Sequence, residues 1–468
     1  AFASFEHQEL LQGRLPLWNP YTYSGHPFLA DIQSAIFYPL SFLTILLSAV
    51  WGFSAFALEL EAIAHVFLAG TFTYLLAKHL LRSRAAATLS AVTFAFGGYL
   101  TSYPPLQLAI LETVVWLPLA LLFLDLGIAE LAGHRCLAFF YLLLAGGVLG
   151  VAILAGHPQT AMYVVYLSLF YSLFRIWRVK RQGIGHLSGW LAVAGLATYL
   201  LVGLGLAAVQ ILPSWEFMRL SSRPELGYQE LSGGFAYLDF LQILLPHSTG
   251  FWSPLYIGIL PLLLALFALS LLVWGKAPGM DRERCPRLPR WRTDIAFWAT
   301  VAGIALLLTV GDDSFLYGLF YLGAPGFGLF RGQERAALLF GFSLSLLAGY
   351  GFATSILMAQ EAVAQEKGYR LLVKLIGGLG LLVAVMAVLF FFGRSSPDAS
   401  PGGPMDNMLG LAVFVALVLA GSLIWLVIWR QRPEKRLVWI GLAPVSYTHL
   451  RAHETNESIA YAVFCLKR

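Results

Sequence analysis

Apolar runs of membrane-spanning length alternate with short polar gaps from Phe53 to Trp429. About eleven such runs can be placed, near 53–77, 85–103, 106–124, 137–155, 160–177, 188–212, 255–274, 293–310, 335–357, 371–392 and 408–429. Each has roughly the 17–25 residues a helix needs to cross the hydrocarbon core, where every backbone polar group must be bonded internally. The pattern predicts an all-α polytopic membrane protein with outer-face loops, and a twelfth apolar run begins at Leu437. Composition agrees, since 59% hydrophobic and 12% charged residues lie far from the balance of a soluble domain.

The basic residues set an orientation. Lys78, Arg82, Arg84, Arg135, Arg175, Arg178, Lys180, Arg181, the 276–292 cluster, Lys367, Arg370, Lys374 and the 430–436 cluster belong to one set of alternate gaps, 21 residues in all. The other set holds six, namely Arg14, Arg219, Arg223, Arg331, Arg335 and Arg394. The positive-inside bias puts the first set in the cytoplasm and the six outside. Parity then requires that Ile36–Val50 not span, so a short interfacial helix is expected there, with Phe37 and Tyr38 at headgroup level before Pro39. The net charge of +5 is accounted for by the cytoplasmic anchors, which leaves no nucleic-acid surface. Cys136, Cys285 and Cys465 are too scattered for a metal site or a disulfide framework, and no metal ligand is assigned.

The chain divides into a first outer loop, 1–35, a multi-span domain, 36–445, with a long outer loop at 213–254, and a tail, 446–468. A chain that starts in an outer loop needs a preceding membrane helix or a signal, so a further helix is expected ahead of Ala1. The string from Ser446 to Thr455 resembles a translated sequencing-adapter read-through, and the tail is expected to be non-native.

The polar chemistry gathers in four outer segments. Residues 13–33, with Phe37-Tyr38-Pro39, are rich in Pro, Gly and aromatics, which predicts an ordered loop with fixed turns. Trp18, Asn19, His26, Gln33 and Tyr38 are its candidate sugar-binding groups. His157 lies in the tight turn Gly156-His-Pro-Gln-Thr160, where Pro158 suits the first turn of the next helix. The 210–253 segment offers Glu216, Arg219 and Arg223, whereas Glu225 and Glu230 suit ordinary solvated positions. In Phe330-Arg-Gly-Gln-Glu-Arg335, two outer-face arginines stand at a helix N-terminus, where the dipole disfavours cations. A bound phosphate would resolve that conflict, and Arg331 and Arg335 would share a face if the helix began early. Within the bilayer, Glu59, Glu61, His65 and Glu112 are functional candidates by default.

These segments resemble the YfhO family of bacterial membrane proteins. The matching stretches are Gly13–Pro20, Gly25–Gln33, Phe37–Leu40, Ala155–Thr160, Gln210–Pro213, Tyr256–Gly258 and Phe330–Arg335, and the similarity runs over nearly all of residues 1–445. The resemblance implies a GT-C-like fold in the bacterial cytoplasmic (inner) membrane, multi-pass, with its active face outside. It implies a glycosyltransferase moving a sugar from a polyprenyl-phosphate carrier to an envelope polymer or glycolipid acceptor, such as lipoteichoic acid. Membrane lipid is the expected partner, the lipid-linked sugar is the donor, and a divalent metal is compatible with such chemistry. The acidic motif of the family is expected upstream of Ala1, which leaves Asp31 as the first loop's one aspartate and its catalytic candidate. The polypeptide as written is therefore expected to be inactive. A transporter or lipid flippase, or a non-catalytic envelope-assembly partner, is the alternative.

Overall fold

The computed structural model describes residues 2–102, 107–181, 187–221, 226–246, 248, 252–274, 288–358, 362–394 and 408–431. The 446–468 tail, the run from Leu437 and Arg223 lie outside the described residues. In chain order the helices are α1 (Phe2–Leu11), α2 (Pro39–Trp51), α3 (Ala55–Leu81), α4 (Arg84–Ala95), α5 (Gly98–Thr101), α6 (Leu108–Val114), α7 (Leu117–Glu130), α8 (Arg135–Leu154) and α9 (Pro158–Arg181). They continue as α10 (Gly189–Arg219), α11 (Tyr228–Leu231), α12 (Ile259–Trp274), α13 (Leu288–Thr309), α14 (Phe315–Gly323), α15 (Ala337–Met358), α16 (Ala362–Arg394) and α17 (Met408–Gln431). No strand occurs among the described residues. This is an all-α polytopic membrane fold.

Among the described residues, eight stretches are long and apolar enough to cross a membrane: α3, α6 with α7, α8, α9, α10, α13, the turn into α15, and α16. They fall on eight of the eleven expected spans. The runs at 255–274 and 408–429 form α12 and α17, whose apolar cores are shorter. The run at 85–103 is broken at Gly97. There the Gly98 N–H turns away from its helical acceptor and donates to the Tyr256 carbonyl at 2.7 Å. A Cβ at Gly98 would collide with the backbone carbonyl of Ser253, so only glycine permits this approach. The Ile36–Val50 stretch forms α2, whose 13 residues reach about 20 Å at 1.5 Å each, shorter than the hydrocarbon core.

The chain forms two compact units. One comprises Ala1–Phe72, Pro104–Gly233 and Tyr317–Gln333. The other comprises Thr73–Tyr103, Gly234–Leu316 and Glu334–Arg468. In the second unit, α15 is buried along its length and packs on α4, α12 and α13. In the first unit, α8 packs on α7 and α10. The α8–α10 contact depends on missing side chains. A Cβ at Gly146 would lie 2.7 Å from Val202 Cβ, and one at Gly150 would lie 2.8 Å from Leu206 Cβ. Across the seam, a Cβ at Gly203 would stand 2.8 Å from Leu149 Cγ. Small residues four apart let two helices approach closely where lipid gives no hydrophobic drive. Gly150→Leu is expected to force α8 and α10 apart and cost about 1–3 kcal/mol or more. The check is a lowered melting temperature in detergent, with Gly147→Leu, whose position faces open space, as the tolerated control.

Candidate functional site

The first loop is built from turn chemistry. Asn19 and His26 form an antiparallel bridge through backbone bonds of 2.8 and 2.9 Å. The Asn19 side chain closes the turn, donating to Thr22 Oγ1 at 2.8 Å and accepting from the Tyr21 N–H at 2.9 Å. Tyr23 and Ser24 take positive φ, and Gly25 at φ +118° lets the Trp18 indole lie directly over it, 2.5 Å from where a Cβ would stand. The chain thus folds back on itself before His26. Trp18, Tyr21 and Tyr23 remain exposed, at 57%, 84% and 85%.

His26 then meets Asp31. Its Nε2 lies 3.0 Å from Asp31 Oδ2, while Asp31 Oδ1 accepts the Gln33 N–H at 2.9 Å and so caps the 3-10 turn Ile32–Ser34. The rings of Phe2, Tyr23 and Phe217 surround the imidazole, at centroid distances of 5.5–6.1 Å. Gln33 itself is exposed.

The turn between α8 and α9 anchors this loop. Gly156, at φ +87°, packs so closely that a Cβ would stand 2.6 Å from the Ile32 carbonyl and 3.1 Å from Ala35 Cβ. His157 caps α9: its Nδ1 accepts the Thr160 N–H at 3.2 Å and the Thr160 hydroxyl at 2.7 Å. Two residues on, Gln159 donates from Nε2 to the Gly332 carbonyl at 3.1 Å. Residues 156–159 therefore hold both the Asp31 loop and the segment that carries Arg331. From α10, Gln210 Nε2 donates to the Leu29 carbonyl at 2.8 Å and to Ser214 Oγ at 3.1 Å.

Tyr38 is fully buried, packed with Ala35 and Ala155. The reason is a polar network that encloses it. Trp116 Nε1–H donates to the Tyr38 hydroxyl at 3.1 Å, and that hydroxyl lies 2.6 Å from His65 Nε2. His65 Nδ1 lies 2.7 Å from the Glu61 carbonyl, one helical turn back. A carbonyl only accepts, so Nδ1 carries a proton, and in the neutral ring the Nε2 lone pair takes the Tyr38 hydroxyl proton. Ser41 Oγ donates to Glu61 Oε1 at 2.9 Å. Glu112, from α6, completes the group, with the ligand-capable atoms of Glu61, His65 and Glu112 all within 4.8 Å of one another.

A third acid comes from α1. Glu6 is 4% exposed, and burial, with the Glu61 carboxylate beside it, pushes its carboxyl up to about 7. The expected 1–35 loop thus opens with a helix that buries Phe5, Glu6 and His7.

The remaining sequence candidates are spread out. Glu216 and Arg219 sit exposed on α10, which runs past Pro213 to Arg219 before the chain turns. Arg331 is exposed ahead of the helix, followed by Gly332 at φ +79° and the 3-10 turn Gln333–Ala336. The helical spacing that would align Arg331 with Arg335 therefore does not extend between them, because α15 begins at Ala337. The residue overlooked in this motif is Gln333. It is 1% exposed, and its Nε2 donates to the Phe330 and Leu231 carbonyls at 2.8 and 3.1 Å. Its Oε1 accepts from the Tyr163 hydroxyl at 3.3 Å, and its own N–H donates to the Gly233 carbonyl at 2.9 Å. A neutral amide amid otherwise charged loop residues was the available signal.

Fold and site together define a polytopic membrane protein with an aromatic, histidine–carboxylate loop and a buried acid–histidine cluster in one unit. No family model and no curated protein matches the chain. Among solved structures, the crystal structure of ArnT from Cupriavidus metallidurans bound to undecaprenyl phosphate is similar at 14% sequence identity and a TM-score of 0.46. That match covers 98% of this chain and 71% of the other.

Proposed function

We propose that the protein is a membrane glycosyltransferase of the YfhO type, with a GT-C-like fold, acting at the outer face of the bacterial inner membrane. It moves a sugar from a polyprenyl-phosphate carrier to a hydroxyl of an envelope polymer or glycolipid. The observation that carries this reading is the Gly156–Gln159 turn, which packs against the Asp31 loop and bonds the segment bearing Arg331. A carboxylate for the acceptor and a cation for the donor phosphate are thereby tied to one short turn.

The chemistry needs both. The acceptor hydroxyl oxygen attacks the anomeric carbon, the bond from that carbon to the phosphate oxygen breaks, and polyprenyl phosphate leaves with the electron pair. Asp31 takes the hydroxyl proton, and His26 at 3.0 Å holds the carboxylate in position. Arg331 stabilises the charge gained by the leaving phosphate, which a guanidinium fork suits. The exposed faces of Trp18, Tyr21 and Tyr23 suit stacking against a sugar ring. Asn19, His157 and Gln33 shape the loop around it, Arg219 and Glu216 line the end of α10, and Arg335 is tested separately as a second phosphate ligand.

The competing reading, a transporter or lipid flippase, draws on Glu61, His65 and Glu112 within membrane-spanning helices. A non-catalytic assembly partner would keep the loops without turnover. The discriminating experiment follows labelled sugar from synthetic polyprenyl-phosphate donors into envelope acceptors, in membranes carrying the full-length gene product. Arg331→Ala is expected to lower transfer by about 10²-fold or more, as loss of one transition-state donor typically does. Undiminished transfer in Arg331→Ala, with Arg335→Ala also active, would remove the phosphate site from this segment.

A further inference from the structure

We infer that Glu61, His65 and Glu112 form a buried binding site for one divalent transition-metal cation. The inference stands apart from the transfer reaction, because it concerns binding and is read without turnover.

The first support is geometric. Glu61 and His65 are four apart on α3 and so share a face, and Glu112 meets them from α6. They are 6%, 0% and 4% exposed, with ligand-capable atoms within 4.8 Å of one another. Two carboxylates and one imidazole make a borderline N/O donor set, which suits Zn²⁺ or Mn²⁺ better than a set of oxygens alone.

The second is the orientation of His65. Metal-binding histidines usually donate the other ring N–H to a carbonyl or carboxylate, which fixes the ring and the tautomer. The Nδ1–H of His65 does this to the Glu61 carbonyl at 2.7 Å, leaving Nε2 as the donor nitrogen. The Tyr38 hydroxyl donates a hydrogen bond to that lone pair, at 2.6 Å. A cation entering the cluster takes the lone pair in place of this hydrogen bond; the phenol keeps its proton and turns it away, while its oxygen still accepts from Trp116 Nε1–H.

The third is charge. Among the described residues no Lys or Arg pairs with Glu6, Glu61 or Glu112. Glu6 is more than nine-tenths buried, its Oε1 has no hydrogen-bond partner, and it lies close enough to feel the charges of both Glu61 and Glu112. Buried carboxylates without a counter-charge cost several kcal/mol each. A divalent cation supplies the counter-charge of the two ligating carboxylates, Glu61 and Glu112, with Glu6 beside them.

The test uses the purified chain in detergent, stripped with chelator and then titrated with Zn²⁺ or Mn²⁺ alone. Bound metal is measured by elemental analysis after desalting, and the melting temperature is followed in parallel. About one equivalent is expected to bind, with a rise in melting temperature that chelator reverses. Glu112→Gln and His65→Gln are expected to weaken binding at least 10-fold, whereas Glu59→Gln, exposed on the same helix, should bind as the parent does. No metal uptake and no thermal shift in the folded parent chain would overturn the site, as would equal uptake by folded Glu112→Gln. The parent chain's own shift keeps the test decisive if a variant fails to fold.

Discussion

Asp125→Ala is expected to destabilise the protein by about 3–5 kcal/mol, the usual consequence of leaving one member of a buried ion pair uncompensated. Asp125 on α7 is 1% exposed and faces Arg175 on α9, itself 6% exposed. Arg175 Nε pairs with Asp125 Oδ1, and Nη2 donates to Oδ2 at 3.1 Å. The Tyr171 hydroxyl donates to Oδ1 at 2.6 Å. Removing the carboxylate strands a guanidinium and a phenol between two packed helices. The measurement is the melting temperature of the detergent-solubilised protein. Asp125→Asn, which keeps an acceptor for Tyr171, should lose less. Joint replacement by Asp125→Leu and Arg175→Met should recover most of the loss, since an apolar pair of similar volume often replaces a buried ion pair at little cost. An unchanged melting temperature in Asp125→Ala would show that the pair is solvated in the membrane-embedded protein.

Asp31→Asn is expected to lower sugar transfer by about 10²–10⁴-fold, the range that general-base catalysis supplies. The same substitution should leave the loop folded, because an amide oxygen can still cap the Ile32–Ser34 turn through the Gln33 N–H. Activity and fold are thus separable at this position. His26→Ala should produce a smaller loss, since it removes the partner that orients Asp31 but leaves the carboxylate. The comparison needs only transfer rates and melting temperatures of the three proteins. Full activity in Asp31→Asn would confine Asp31 to its capping role.

Much of this fold could be read in the sequence because the bilayer imposes one rule, and eight long apolar stretches among the described residues obey it. The exceptions have local causes. At Gly97-Gly98 hydropathy alone continues the span, but the bond from Gly98 to Tyr256 and the absence of a Cβ allow a break. Arg175 looked like one more cytoplasmic loop charge, yet α9 buries it against Asp125, a partner 50 residues away. The Glu61–His65 spacing was legible as one helix face. The approach of Glu112, Tyr38 and Glu6 was not, because it depends on how α6, α2 and α1 pack rather than on any local pattern. In the 330–335 segment the charges drew attention to the arginines, while the residue that ties the segment down is the uncharged Gln333. The turn at 156–159 was legible as a turn, but not as the place where two candidate segments meet.

The central claim is that the anomeric bond of a lipid-linked donor is broken at this protein. It is tested most directly by measuring polyprenyl phosphate released from a doubly labelled sugar-phosphate donor in membranes carrying the full-length gene product. The account predicts one polyprenyl phosphate released for each sugar found on the acceptor, with release falling in step with transfer in Arg331→Ala. Donor that crosses the membrane with its sugar still attached, and no release above that of membranes lacking the protein, would contradict the account and establish transport instead.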